Sequence, residues 1–258
     1  MRVNIIVPNF NKKKYLKHCL ESVVGQVYGD LKLIFIDNES TDGSAEEAEK
    51  ILSKFKGTNL YGMPLDYVID SVENIYPQCW DECLEKAYKY LDSEWYTILG
   101  SDDFISPEYI YKFVEYMHDN AKNNILSIQS DLVWFKTKSP KSHDYEILQV
   151  NRHVYNNIDE LKVKMLSGCA VNSPSVFYHT DILNNKNLKR NPEEYSGAAD
   201  YDFYCQMLDK NIYIENANTC FGYYYRVNPE QATWQMHKNP IPYDTLIQNK
   251  WKEKWKKY

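Results

Sequence analysis

The stretch Trp95-Tyr96-Thr97-Ile98-Leu99-Gly100-Ser101-Asp102-Asp103-Phe104 passes from a short apolar run straight into two adjacent carboxylates. The run has the length and residue types of a buried strand. Neighbouring aspartates at a strand end repel one another unless a cation or water offsets the charge. A hard divalent ion, Mn2+ or Mg2+, suits such oxygen donors and would bridge to phosphate oxygens. The same dipeptide also makes a turn and helix cap ahead of Pro107, so its surroundings must decide between the two readings.

Upstream, strand-like and helix-like runs alternate. Val3 to Val7, Leu31 to Ile36 and Leu65 to Ile69 read as strands. Tyr15 to Val24, Ala45 to Phe55 (capped by Ser44 or Asp42) and Trp80 to Leu91 read as helices. This alternation predicts βαβ units, hence an α/β fold with a mostly parallel sheet flanked by helices. Ligands of open α/β sheets bind outside the carboxyl ends of the strands. Three strands end there in polar residues: Pro8-Asn9-Phe10-Asn11, Asp37-Asn38-Glu39-Ser40 and Ser101-Asp102-Asp103.

Downstream the pattern loosens. Helices are expected at Tyr109 to His118, Ile158 to Leu166 and Asp200 to Leu208, strands at Tyr213 to Glu215 and Cys220 to Arg226, and a polar loop at Lys136 to Asp144. With no internal repeat or low-complexity linker, residues 1–239 read as one domain, 1–104 being a nucleotide-binding half and 105–239 an acceptor-side half. Residues 240–258 read as a basic amphipathic helix, with Trp251 and Trp255 on one face and five Lys between Gln248 and Tyr258. That helix docks on the domain, makes peripheral contact with an anionic membrane surface, or serves as a linker toward further sequence.

A net charge of −6 argues against a nucleic-acid partner. No run approaches the roughly 20 apolar residues of a membrane span, and Met1 leads directly into a strand, so a cytoplasmic protein is expected. The six cysteines lack CxxC spacing, which argues against a zinc site or a disulfide framework. The 23 tyrosines suit sugar-binding aromatic faces as well as ordinary core packing.

The N-terminal pattern resembles the family 2 glycosyltransferases of the GT-A fold. The resemblance is carried by Ile5-Ile6-Val7-Pro8-Asn9-Phe10-Asn11, Tyr15-Leu16 through Cys19-Leu20-Glu21-Ser22-Val23 and Gln26, Phe35-Ile36-Asp37-Asn38-Glu39-Ser40-Thr41-Asp42-Gly43-Ser44, and Leu99-Gly100-Ser101-Asp102-Asp103-Phe104. It implies an inverting, metal-dependent transfer of a sugar from a nucleoside diphosphate sugar (UDP-, dTDP- or GDP-linked) to a hydroxyl of a saccharide acceptor, free, lipid-linked or protein-linked. The processive QxxRW motif is absent, which implies single additions.

By the same resemblance, Pro8, Asn9, Phe10 and Asn11 line the nucleoside site, with Phe10 as a stacking partner. Asp37, Asn38, Asp81, Ser101 and Asp102 face base and ribose, and Asp103 or Asp102 holds Mn2+ or Mg2+. Gly100 stands where relatives often carry a further Asp. Ala199-Asp200-Tyr201-Asp202-Phe203 matches the acidic motif that opens the base helix, with Asp200 as general base and Asp202 as its competitor. Arg226 is implied as a diphosphate contact, Asn228 stands where a metal-facing His is frequent, with His237 a distant substitute, and Ser173-Pro174-Ser175, with Gly168 and Asn172 before it, falls at the sugar-facing floor, Ser175 being the substrate contact. Gly100, Ala199 and Asn228 also fit an inactive sugar-nucleotide-binding module. A nucleotidyltransferase is the remaining alternative, although the loop after the first strand lacks that class's glycines.

Overall fold

The computed structural model describes residues 1–75, 79–120, 124–139, 144–185, 187–228, 231 and 241–256. Four parallel strands form its centre: β1 (Val3–Asn9), β2 (Leu31–Asp37), a strand at Pro64–Ser71 (β4, after the two-residue β3, Gly57–Thr58) and β5 (Trp95–Ile98). Helices α1 (Lys13–Val24), α2 (Ser44–Leu52) and α3 (Cys79–Tyr88) alternate with them. Alternate residues of a strand face opposite sides of a sheet. Val3, Ile5 and Val7 accordingly pack with Leu33, Phe35 and α1, whereas Ile6, Ile34, Ile36 and Ile98 enter a second cluster on the other side. A sheet buried on both faces needs near-continuous apolar strands, which is how Ile5-Ile6-Val7 reads.

The later chain completes this sheet and adds a smaller one. After β6 (Phe104–Ile105) and α4 (Tyr109–Asp119) come β7 (Ser127–Gln129), β8 (Leu132–Thr137) and β9 (Tyr145–Asn151). Then follow α5 (Ile158–Met165), β10 (Val176–His179), α6 (Pro192–Tyr195), α7 (Ala199–Asp209), β11 (Ile214–Asn216) and β12 (Tyr223–Arg226). The large sheet has the order β11-β7-β10-β5-β1-β2-β4-β3, with β10 antiparallel to both neighbours; the small one has the order β6-β12-β8-β9. The result is a single α/β domain with a mixed, mostly parallel sheet.

Several boundaries differ from the sequence-based expectation for local reasons. Helix α2 begins at Ser44, not Ala45, because Gly43 takes the left-handed conformation (φ +80°) and the Asp42 carboxylate accepts the Ser44 N–H at 3.0 Å. The strand expected from Cys220 begins only at Tyr223, after Gly222 at φ +108°. Strand β9 lies outside the sequence-based expectation: among the described residues it pairs with β8 alone, and it is exposed along most of its length, so no buried face imposes alternation.

The C-terminal helix (Tyr243–Lys254) docks on the domain. Ile247, Trp251 and Trp255 are buried in the same core cluster as α7. The Trp251 indole N–H donates to Asp202 at 2.8 Å, and that of Trp255 to Asp209 at 3.1 Å. The apolar face that a membrane contact would require is therefore turned inward. Among the described residues, no helix is long and apolar enough to cross a membrane. Trp251→Ala should destabilise the domain by about 3–5 kcal/mol, read as a lower urea midpoint at unchanged m-value.

Candidate active site

Because β1, β2, β4 and β5 run parallel, their carboxyl ends share one edge of the sheet, and the expected motifs meet there. Asn9 donates through Nδ2 to Asp37 Oδ1 at 2.8 Å, and the Asn38 N–H donates to the Asn9 carbonyl at 2.8 Å. Asp37 Oδ2 accepts the Ser40 N–H at 2.8 Å, and the Asn11 N–H donates to Ser40 Oγ at 2.8 Å. Asn9, Asp37 and Asn38 are thus buried members of the frame that joins the first two loops. Phe10 beside them is 45% exposed, leaving a ring face open at the mouth of the site.

The two carboxylates after β5 have different surroundings. Asp103 is 3% exposed; its Oδ1 accepts the Arg226 N–H at 2.7 Å and its Oδ2 the Tyr223 hydroxyl at 2.9 Å. Burial, and next the charge on Asp102, push its carboxyl well above the usual carboxylate range. Asp102 is the more exposed of the pair, and its Oδ2 faces Lys12 Nζ at 3.1 Å and Asn228 Nδ2 at 3.3 Å. Ser101 is buried. A Cβ at Gly100 would lie 2.7 Å from Asp103 Oδ2, which gives a steric reason for glycine at this position.

Arg226 sits where the sequence suggests, but its guanidinium is committed to the protein. Nε donates to the Asp102 carbonyl at 2.5 Å, Nη1 to Thr137 Oγ1 at 2.9 Å, and Nη2 stands 3.3 Å from His18 Nδ1. The rings of Tyr15 and Phe135 flank it at 4.8 and 4.7 Å. Its geometry is that of a pin for the Asp102–Asp103 turn, and the ammonium nearest the open carboxylate belongs instead to Lys12. Sequence reasoning overlooked Lys12, which stands in an otherwise unremarkable Lys12-Lys13-Lys14 run.

Across the site, Asp200 lies in the first turn of α7, partly exposed. Its Oδ2 accepts the Ser173 hydroxyl at 2.6 Å and its Oδ1 the Tyr201 N–H at 2.8 Å. The 3-10 turn Ser173–Ser175 that supplies this contact packs beside β5 and β12, so it links α7 to the Asp102–Asp103 turn. Ser175, the serine expected to face substrate, is fully buried and donates to the Ser130 carbonyl at 2.7 Å. Ser173, from the same expected segment, is the serine that meets Asp200.

Asp202 is also placed differently from the expectation. Two residues beyond Asp200 on a helix, it points away from it, not into solvent but into the core, at 0% exposure. There it accepts from Lys250 Nζ and Trp251 Nε1, both at 2.8 Å, and from Gln206 Nε2 at 2.7 Å. Asp81 lies at the start of α3, 3.8 Å from the Arg190 Nε. Burial raises the Asp81 carboxyl above its usual range; Arg190 opposes the shift and the charge on Asp200 adds to it, so Asp81 and Asp200 share one electrostatic neighbourhood. His237 lies outside the described residues.

A family model described as Glycosyl transferase family 2 matches residues 4–228. The chain belongs to this family. Among similar proteins, "Glycosyltransferase GlyA" of Streptococcus pneumoniae is 24% identical over 62% of this chain, and the chain spans only 22% of GlyA's length. Staphylococcus aureus TarS, solved in complex with UDP-GlcNAc, superposes with a TM-score of 0.64 at 17% identity, covering 93% of this chain and 62% of that one. The Pyrobaculum calidifontis mannosyltransferase PcManGT, solved with GDP-Man and Mn2+, gives 0.60 at 13% identity, covering 96% of this chain and 68% of that one. At these identities the likeness is one of fold, and the fold is GT-A.

Whether this site suits a divalent cation turns on its donors. Among the described residues, no three His, Cys, Asp or Glu side chains converge as a metal cage. Ions such as Mg2+ are, however, commonly held by one or two carboxylates together with substrate phosphates. Asp102, partly exposed, is the carboxylate available for that sparse arrangement, and a cation there would share its oxygens with Lys12. Tyr223→Phe, which removes the donor to buried Asp103 Oδ2, should cost about 1–3 kcal/mol in thermal unfolding.

Proposed function

We propose that this chain is an inverting, non-processive glycosyltransferase that moves a sugar from a nucleoside diphosphate sugar to a hydroxyl of a saccharide acceptor. The observation that carries this reading is the contrast between the two cleft carboxylates. Asp102 faces the Lys12 ammonium, whereas the hydrogen bonds to Asp200 come from a hydroxyl and a backbone N–H. One carboxylate is arranged to work with positive charge, and the other keeps lone pairs for a proton.

Residues 1–104 carry the nucleotide, with the Phe10 ring stacking on the base and the Asn9–Asp37–Asn38 frame fixing the loops around it. The UDP-GlcNAc complex of TarS and the GDP-Man complex of PcManGT support a sugar-nucleotide donor of either base. Residues 105–239 carry the acceptor, and Asp81 and Arg190 border the sugar beside Asp200. The acceptor hydroxyl gives its proton to an Asp200 carboxylate oxygen while its own oxygen attacks the anomeric carbon. The bond from that carbon to the diphosphate oxygen breaks on the opposite face, which inverts the configuration and leaves a free nucleoside diphosphate. Lys12 offsets part of the charge that develops on the leaving group. A divalent cation held by Asp102, Mn2+ or Mg2+, would neutralise more of it.

Asp200→Asn should lower turnover about 10²- to 10⁴-fold while nucleotide affinity by calorimetry stays within a few-fold of wild type. Near-normal turnover would show that the proton goes elsewhere. Asp102→Asn should instead weaken nucleotide binding in the presence of Mn2+ and bring the affinity near that measured in EDTA. If nucleotide affinity in the wild type did not respond to Mn2+ or EDTA, the cation part of the reading would fall.

A further inference from the structure

The Asp200 carboxylate sits at the partly exposed end of a hydrogen-bonded chain that the transfer reaction as just derived does not use. Ser173 Oγ lies 2.6 Å from Asp200 Oδ2 and 2.7 Å from the Tyr204 hydroxyl, which lies 2.7 Å from the Tyr178 hydroxyl. Tyr204 is four residues beyond Asp200 on α7, so its side chain rises from the same helix face. Tyr178 comes from β10, in the middle of the large sheet, and both tyrosines are buried. The chain therefore runs from the sheet's interior to a partly exposed carboxylate.

We infer that Ser173, backed by Tyr204, is a positioning residue that fixes the orientation of the Asp200 carboxylate for proton transfer. A serine hydroxyl has one proton. Beside an ionised carboxylate that proton points at Asp200, so Ser173 Oγ must accept from Tyr204, and the Tyr204 oxygen in turn from Tyr178. The donor order is thus fixed from the sheet outward. Burial raises both phenols, Tyr178 to about 12 and Tyr204 well above its ordinary value, so both keep the protons this order requires.

Ser173 itself has little freedom. Its N–H donates to the Val171 carbonyl at 3.0 Å. The preceding Asn172 is anchored by its N–H to Gln129 Oε1 at 2.6 Å and by Nδ2 to the Ser130 carbonyl at 3.0 Å. A carboxylate on the first turn of a helix would otherwise rotate about two side-chain bonds. With Oδ2 held by Ser173 and Oδ1 by the Tyr201 N–H, one lone-pair direction on each oxygen remains for the acceptor hydroxyl. Misplacing a catalytic group by about 1 Å is enough to cost on the order of 10²-fold in rate.

This inference rests on the assignment of Asp200 as the base, and the experiment separates the two. Donor hydrolysis and transfer would be measured with UDP-GlcNAc, UDP-glucose and GDP-mannose in Mn2+, alongside melting temperature and UDP or GDP affinity. Ser173→Ala should lower kcat about 10- to 100-fold with KM for the donor and nucleotide affinity near wild type, Tyr204→Phe should fall between, and Ser173→Thr should recover most of the loss. Adding Ser173→Ala to Asp200→Asn should cause no further loss, because the serine acts only through that carboxylate. An unchanged kcat in folded Ser173→Ala, or a full additive loss in the double variant, would overturn the positioning role while leaving the transferase assignment intact. A wild type silent toward every donor, or an Asp200→Asn variant with normal turnover, would instead remove the assignment on which it rests.

Discussion

The architecture of the site depends on one buried carboxylate. Asp103 belongs to the turn after β5 of the large sheet, and its two oxygens accept from Arg226 and Tyr223 on β12 of the small sheet. A buried carboxyl group left without hydrogen-bond partners is unfavourable, so these bonds tie the two sheets together at this point. Everything on the turn inherits that placement. Gly100 must be small because Asp103 Oδ2 folds back over it, Arg226 is drawn in until Nε reaches the Asp102 carbonyl, and the Asp102 side chain is left pointing toward Lys12.

That constraint divides labour between two residues that look equivalent on paper. An Asp-Asp pair offers two carboxylates; here Asp103 is bonded into the frame, whereas the Asp102 side chain faces Lys12. Burial and neighbouring donors decide which does which, and the same logic recurs on α7, where Asp200 is partly exposed and Asp202 is entirely enclosed. In each pair, one aspartate holds the structure that aims the other.

The legible part of the sequence was the part written in local patterns. Apolar runs ending in polar residues give β1, β2, β4 and β5, and parallel order then brings Asn9, Asp37 and Asp102 to one edge without further information. Side-chain partners at long separation were not legible. Nothing in Tyr223-Tyr224-Tyr225 indicates that only the first phenol reaches back 120 residues to Asp103. Nor does Ser173-Pro174-Ser175 indicate which serine meets Asp200, since that depends on a 3-10 turn that rotates Ser173 outward and Ser175 under Ser130. The surroundings of Arg226 and Lys12 were hidden for a related reason: charge alone does not reveal whether a cation is committed to aromatic faces and carbonyls, as Arg226 is, or faces a carboxylate side chain, as Lys12 does.

The C-terminal helix extends the same principle beyond the cleft. Its Trp251 and Lys250 meet Asp202, and its Trp255 and Lys254 meet Asp209, seven residues further along α7. Two contacts separated by two turns resist both sliding and rotation of one helix on the other, where a single contact would resist neither well. Because Asp200 and Tyr204 lie on the opposite side of the same helix from this clamp, two of the lysines that looked like a membrane-facing surface, Lys250 and Lys254, hold the helix that carries the proposed base. A basic amphipathic pattern specifies only that anionic groups lie beside apolar ones, and α7 supplies both.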